Sequence, residues 1–224
     1  ELRKHKSGVV AGLLVLILAV AAIGFGVAKW MTSETYEPAF KNAKFTRLAT
    51  SGRPVDAVIS PDGKYVAYIA DDGDKRSLWL RQVTATSNAI QIAPASDLRF
   101  RSPTFSHDGN YIFFIQRRSD SPTGDLYRVP TISGSTRKLL SGVSSPVAIS
   151  PDDKQIAFVR EMADSSALFV ANADGTNERE LRRRKLPDSF SIEGPDWSPD
   201  GQTIACTVAN FAVGINQNVI AVQV

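Results

Sequence analysis

Disulfide chemistry is excluded at the outset. Cys206 is the only cysteine in 224 residues, and its apolar neighbours mark it as a buried structural thiol. Histidine is almost as scarce, with His5 and His107 alone. No G-x-G-x-x-G stretch, Walker loop or H-R-D triplet is present, so these residues hold no recognisable ATP-binding or phosphoryl-transfer machinery. The G-x-S-x-G elbow of the serine hydrolases is missing too. Excess charge of one sign is also lacking over most of the chain. Of the 26 Lys and Arg, Arg3, Lys4, Lys6 and Lys29 fall in the first 30 residues, where Glu1 is the single acid. The remainder carries equal numbers of bases and acids, so the +3 net charge belongs to the N-terminal flank. A neutral domain does not have the electrostatic footprint of a nucleic-acid binder. No catalytic, cofactor-binding or metal-ligating residue is nominated, and no cofactor is expected.

One long hydrophobic run is present. Residues 8–28, GVVAGLLVLILAVAAIGFGVA, contain no charged side chain. As a helix rising about 1.5 Å per residue the run would be about 31 Å long, matching a hydrocarbon core of about 30 Å. A secretory signal would have a shorter apolar region of about 7–15 residues, and Ala28-Lys29-Trp30 makes a poor cleavage site. Residues 8–28 are therefore expected to form a retained transmembrane helix. Residues 1–7 would be a cytoplasmic tail and 29–43 a linker. Arg3, Lys4 and Lys6 on one flank against Lys29 on the other place the N-terminus in the cytoplasm by the positive-inside rule. His5 would then lie on the cytoplasmic side, leaving any external catalytic triad dependent on His107. Gly8 with Gly12, and Ala22 with Gly26, have the small-xxx-small spacing of paired helices, although Gly and Ala are common in such helices generally. A homodimer is compatible with that spacing. The chain opens on Glu1 rather than Met, which reads as a piece whose cytoplasmic part lies upstream.

The rest repeats. Val58-Ile59-Ser60-Pro61-Asp62-Gly63, Thr104-Phe105-Ser106-His107-Asp108-Gly109, Ala148-Ile149-Ser150-Pro151-Asp152-Asp153 and Asp196-Trp197-Ser198-Pro199-Asp200-Gly201 align, each followed by an apolar stretch. The serines are 46, 44 and 48 residues apart. A period in the forties with four short strands per unit is the mark of a β-propeller. Pro fixes φ at the first central turn position, Asp closes the turn with its side chain, and Gly accepts positive φ. Asp153 replaces Gly in the third copy and is expected to tolerate the left-handed conformation. His107 replaces Pro in the second copy and reads as a turn variant rather than a metal ligand.

Further strands are expected at Leu78–Val83, Ala89–Ile92, Asp125–Val129, Arg137–Leu140, Ala167–Ala171, Glu178–Leu181 and Asn218–Val222. Lys44–Leu48 fits an outermost strand. The fold class is thus all-β, a propeller of about four blades over residues 44–224. Its fourth unit stops at a third strand, so the ring is expected to be incomplete, with more blades beyond Val224.

The S-P-D-G turn, followed by an apolar strand and then a Leu-aromatic strand, resembles the WD40-like propeller repeats of the Tol-Pal translocation (TolB-type) family. Ser77-Leu78-Trp79-Leu80-Arg81-Gln82-Val83, Leu126-Tyr127-Arg128-Val129-Pro130 and Ala171-Asn172-Ala173-Asp174-Gly175-Thr176 also resemble the extracytoplasmic region of acidobacterial-type receptor serine/threonine kinases. In that family a cytoplasmic kinase domain precedes one transmembrane helix and such a propeller. A second family carries the same tail behind a winged-helix DNA-binding domain.

The charged clusters admit two readings each. Asp62, Asp108, Asp152 and Asp200 could suggest calcium, but turns of this type require Asp by themselves. Asp71, Asp72 and Asp74 form an acidic loop without the bidentate Glu of a cation loop. Arg182-Arg183-Arg184-Lys185 reads as a solvated connection, or as a seat for an anionic ligand or lipid headgroup. The function expected from all this is a membrane-anchored, extracytoplasmic sensor or binding propeller that takes a protein, peptide or polymer ligand and signals to a kinase through its single helix in a bacterial inner membrane. Alternatives are a membrane-tethered winged-helix regulator, a TolB-like periplasmic scaffold, and a propeller that gates a serine peptidase.

Overall fold

The computed structural model describes residues 4–31, 48, 53–84, 89–210, 212 and 216–224. The chain divides into two compact units, Glu1–Thr46 and Arg47–Val224.

The first unit holds α1 (Lys4–Met31), a 28-residue helix. Its side chains are described for residues 15–29, and all of these are exposed. Val15, Leu16, Ile17, Leu18, Val20, Ile23 and Phe25 stand among them as large apolar groups without cover. Among the described residues, no helix is long and apolar enough to cross a membrane.

The second unit is all-β, built from four antiparallel sheets taken in chain order. Sheet 1 contains β1 (Arg53–Ile59), β2 (Tyr65–Asp71), β3 (Arg76–Gln82) and β4 (Ile90–Ser96). Sheet 2 contains β5 (Arg99–Phe105), β6 (Tyr111–Arg117), β7 (Gly124–Pro130) and β8 (Arg137–Val143). Sheet 3 contains β9 (Ala148–Ile149), β10 (Gln155–Glu161), β11 (Ser165–Asn172) and β12 (Arg179–Lys185). In sheet 4, β13 (Asp188–Phe190) and β14 (Asp196–Trp197) share one edge of β15 (Thr203–Asn210), and β16 (Asn216–Gln223) takes the other. The expected strand at Lys44–Leu48 falls mostly outside the described residues. Leu48 itself is not in a strand, and its carbonyl accepts a hydrogen bond from the Arg81 guanidinium.

The second strands of the first three repeats, β2, β6 and β10, are apolar without strict alternation because both of their faces are covered, whereas β15 alternates, with Ala205 exposed between buried Ile204 and Cys206. In β6, Phe113 packs toward sheet 3 with Ile156 and Phe158, while its neighbour Phe114 packs toward sheet 1 with Ile69 and Leu78. In β10, Val159 and Ala157 turn toward Trp197 and Ile204 of sheet 4. The buried clusters therefore lie between consecutive sheets. This is how a blade with two apolar faces satisfies both.

Each S-P-D-G turn is closed by its serine. Ser60 Oγ donates to Asp62 Oδ1 at 2.7 Å and accepts the Tyr65 amide at 2.9 Å, while Asp62 Oδ1 also accepts the Lys64 amide at 3.0 Å. The same three bonds recur around Ser106, Ser150 and Ser198. The glycines take φ of 71°, 73° and 70°, and Asp153 takes 58° in their place. The turn survives the substitution because Asp tolerates this region better than most residues.

These bonds have a consequence in acid. The Ser60 hydroxyl, then the Lys64 amide, holds the Asp62 carboxyl at about 2. Asp152 and Asp200 shift the same way, led by their serine bonds. At Asp108 burial pushes upward, and the bonds from Ser106 and Asn110 outweigh it. A carboxyl lowered by folding stabilises the fold above its ordinary value, and that contribution disappears as pH falls through the folded value. Thermal unfolding midpoints should therefore fall steeply between about pH 4 and about pH 2. Asp62→Asn keeps the acceptor but cannot titrate, and should show a shallower fall; an unchanged slope would contradict the assignment.

Candidate functional site

The inner strands of the four sheets are irregular, and the irregularities converge. β1 bulges between Pro54 and Asp56, and β5 between Arg101 and Thr104. At the second bulge Ser102 has φ of 53°, an uncommon conformation for a residue with a side chain. It is fixed from the neighbouring sheet, where Asp56 Oδ2 accepts the Ser102 amide at 2.9 Å. In sheet 3, serines replace part of the inner strand. Ser145 Oγ accepts the Val159 amide and Ser144 Oγ accepts the Glu161 amide, both at 2.9 Å. In sheet 4 the inner edge is split into β13 and β14, with Ile192 and Glu193 between them.

A cavity of about 190 Å³ opens where these breaks meet. Asp56, Arg101, Ser102, Arg117, Ser144, Ser145 and Glu193 supply its polar lining, and Ile115, Val143, Pro146 and Ile192 its apolar lining. Sheets 1 and 2 contribute strand residues, and the segments before β9 and between β13 and β14 contribute Ser144, Ser145, Pro146, Ile192 and Glu193. Arg117, at the end of β6, donates from Nη1 to the Pro122 carbonyl at 3.2 Å, while its Nε is buried without a hydrogen-bond partner. Burial lowers its pKa, and the guanidiniums of Arg101 and Arg76 lower it further. Beside this mouth, Asp71 Oδ2 holds Arg76 at 2.8 Å and Arg99 at 3.4 Å. A cavity lined where the inner strands of all four repeats break, with converging charges and an orphaned donor, is the best candidate for a binding site here.

The residues singled out in the sequence are distributed elsewhere. The four repeated aspartates are consumed by their turns. Asp71 belongs to an ion-pair cluster and caps its own loop by accepting the Gly73 amide at 2.8 Å. Among the described residues, no group of three His, Cys, Asp or Glu could hold a metal ion. Burial pushes the Cys206 thiol up to about 11, against the pull of Arg184. His107 Nδ1 lies 3.2 Å from Asp153 Oδ1, and the same carboxylate accepts the backbone amides of His107 at 2.7 Å and Asp108 at 2.9 Å. His107 thus belongs to a contact between two turns.

The run Arg182–Lys185 is solvated as expected, with Arg182, Arg183 and Lys185 exposed, but it is a strand and not a connection. These residues lie in β12, the outermost strand of sheet 3, paired with β11. A bulge opposite Leu168 and Phe169 resets the register near Leu181, so the charged run continues the strand. Outward arginines suit such a position, because their stems cover apolar sheet and their charge discourages edge-to-edge pairing. Arg183 is paired with Glu180, and the run borders a shallow groove of about 780 Å³ beside the outer edge of β16.

No protein-family profile matches the chain. Among solved structures, it superposes on TolB from Acinetobacter baumannii with a TM-score of 0.57 at 17% identity, covering 78% of this chain and 45% of that one. A putative TolB from Agrobacterium tumefaciens gives 0.60 at 19% identity, covering 78% and 59%. A puromycin-hydrolyzing peptidase of Mycobacterium tuberculosis gives 0.59 at 15% identity, covering 80% of this chain and 29% of the enzyme. In sequence, 114 residues are 26% identical to the uncharacterized peptidase YuxL of Bacillus subtilis, covering 48% of this chain and 17% of that protein. The fold is thus that of the TolB-type β-propellers. The chain spans about half the length of the TolB structures and a small part of the peptidase.

Proposed function

We propose that this chain is a non-catalytic binding propeller held at a membrane by α1, capturing a peptide, polymer or protein partner at the cavity where its inner strands break. The observation that carries this reading is the convergence on one opening of Asp56 from sheet 1, Arg101 and Arg117 from sheet 2, and Glu193 from between the inner strands of sheet 4.

Membrane attachment is supported by the sequence of α1. Its helical backbone covers the whole apolar run from Gly8 to Ala28, and its described side chains have no polar face. The basic flank orients the propeller to the extracytoplasmic side. The order of basic flank, apolar helix, linker and propeller further suggests the outer part of a receptor serine/threonine kinase, with ligand binding shifting an equilibrium between two states of the receptor. A TolB-like scaffold shares the same propeller.

Expression with an epitope tag tests the topology. The intact chain should sediment with membranes, resist alkaline extraction and lose its propeller to protease added to spheroplasts. Recovery as a freely soluble cytosolic species would overturn the reading. A second reading follows from the likeness to peptidases: the propeller could shield the active site of a serine hydrolase joined to it. The native gene separates the two, since a kinase catalytic loop upstream supports the first and a G-x-S-x-G elbow downstream supports the second.

A further inference from the structure

We propose that the ligand group received at the inner-strand cavity is a carboxylate on a short aliphatic stem, as in the glutamate side chains of an acidic peptide, clamped between Arg101 and Arg117. This rests on the reading that the cavity is the binding site, and adds the chemistry of what enters it.

Size comes first. About 190 Å³ lies below the volume of typical small-molecule pockets, about 300–1,000 Å³. The cavity accommodates one end or one side chain of a larger partner. Its walls are of two kinds. Ile115, Val143, Pro146 and Ile192 offer apolar surface to a stem, and Arg101 and Arg117 offer planar forks suited to an oxyanion.

Charge balance points the same way. Arg76, Arg99, Arg101 and Arg117 gather at the junction of sheets 1 and 2, and Asp71 pairs with Arg76 and Arg99. Arg101 has no ion-pair partner among the described residues, and Arg117 donates only to a carbonyl while its Nε stays orphaned. Two crowded guanidiniums and a buried unmet donor form an unfavourable arrangement that a bound carboxylate would relieve. Asp56 is engaged by the Ser102 amide, and Glu193 stands on the stretch between β13 and β14. Their charges repel an incoming carboxylate too, so binding rests on the two guanidinium forks and on the one orientation that keeps the anion against them and away from Asp56 and Glu193.

The test is calorimetric titration of the full chain in detergent micelles at low salt, with hexaglutamate, hexalysine and inorganic phosphate as probes. Hexaglutamate should bind, weaken with added salt, and weaken at least tenfold in Arg101→Gln and in Arg117→Gln. Arg117→Lys, which keeps the charge but loses the fork, should fall between, and it serves as the informative variant if Arg117→Gln does not fold. Arg184→Gln removes another orphaned guanidinium that faces an opening, and should bind like the parent. If hexalysine binds in an Arg117-independent way and Ser144→Trp blocks it, the cavity is a site but the carboxylate assignment is wrong. Loss of hexaglutamate binding in Arg184→Gln alone would overturn both the assignment and the site. Phosphate binding as tightly as hexaglutamate, with the same arginine dependence, would replace the peptide by a free oxyanion and overturn the proposal, as would absence of hexaglutamate binding.

Discussion

Replacing Gly175 with alanine should destabilise the propeller by about 3 kcal/mol, lowering its melting temperature by roughly 6–12 °C. Two independent penalties meet at this position. Gly175 has φ of 86°, which strains any residue with a Cβ. An added Cβ would also lie 2.7 Å from the Leu139 carbonyl oxygen and 3.0 Å from Leu139 Cβ, on β8 of the preceding sheet. Backbone cannot yield as a flexible side-chain tip can. The loop is tied there, because Gly175 donates its amide to the Asn172 carbonyl at 2.8 Å and Arg128 of sheet 2 donates to the Ala173 carbonyl at 3.1 Å. Gly63 is the control. Its φ is 71°, and a Cβ there would meet nothing within 4 Å, so Gly63→Ala should show the conformational penalty alone, about 1–2 kcal/mol. Urea unfolding followed by tryptophan fluorescence measures both. Equal losses at the two positions would mean that the close approach of the sheets contributes nothing.

Gly175 also illustrates what the sequence revealed and what it hid. Turn chemistry and apolar runs are local, so the four S-P-D-G copies, the strands that follow them and the all-β class were legible in the chain. The serine of the motif was visible only as a letter in a pattern. Its role as donor to Asp and acceptor from the amide five residues on appears when the hairpin is folded. The Arg182–Lys185 run is exposed as its consecutive charges suggest, but those charges hid a strand, because an outer strand has one uncovered edge and long stems to lay across it. The cavity lining was not legible at all. Asp56, Arg101, Arg117 and Glu193 are scattered over 138 positions, and no local spacing joins them. A weak signal was nevertheless present: Asp56 and Ser102 are 46 residues apart, equal to the interval between the first two motif serines, so equivalent places in successive repeats were already marked as neighbours.

The two departures from the motif, His107 and Asp153, should prove energetically coupled by about 1–2 kcal/mol in a double-mutant cycle. The Asp153 carboxylate reaches back to the preceding turn and accepts the amides of His107 and Asp108. A proline at 107 would have no amide to give. Asp153→Gly restores the motif and relieves a positive φ, yet it removes both charge-assisted bonds, so it should destabilise the fold. His107→Pro alone leaves the carboxylate with the Asp108 amide only. Together the two changes recreate the proline-glycine combination that the sequence has at Pro61 and Gly109 and at Pro151 and Gly201, and the loss should be smaller than the sum of the single losses. Strict additivity would show that the contact contributes nothing. The converse experiment transplants the pair. A Cβ at Gly201 would lie 3.7 Å from Pro151 Cδ, an ordinary contact, so the fourth turn has room for the longer side chain. Gly201→Asp should destabilise by itself, since φ there is 70° and Pro151 offers no amide. Adding Pro151→His supplies that amide and should recover part of the loss. Successive turns thus accept proline before glycine or histidine before aspartate, and a mixed pair leaves either a strained carboxylate without one of its donors or an amide without its acceptor.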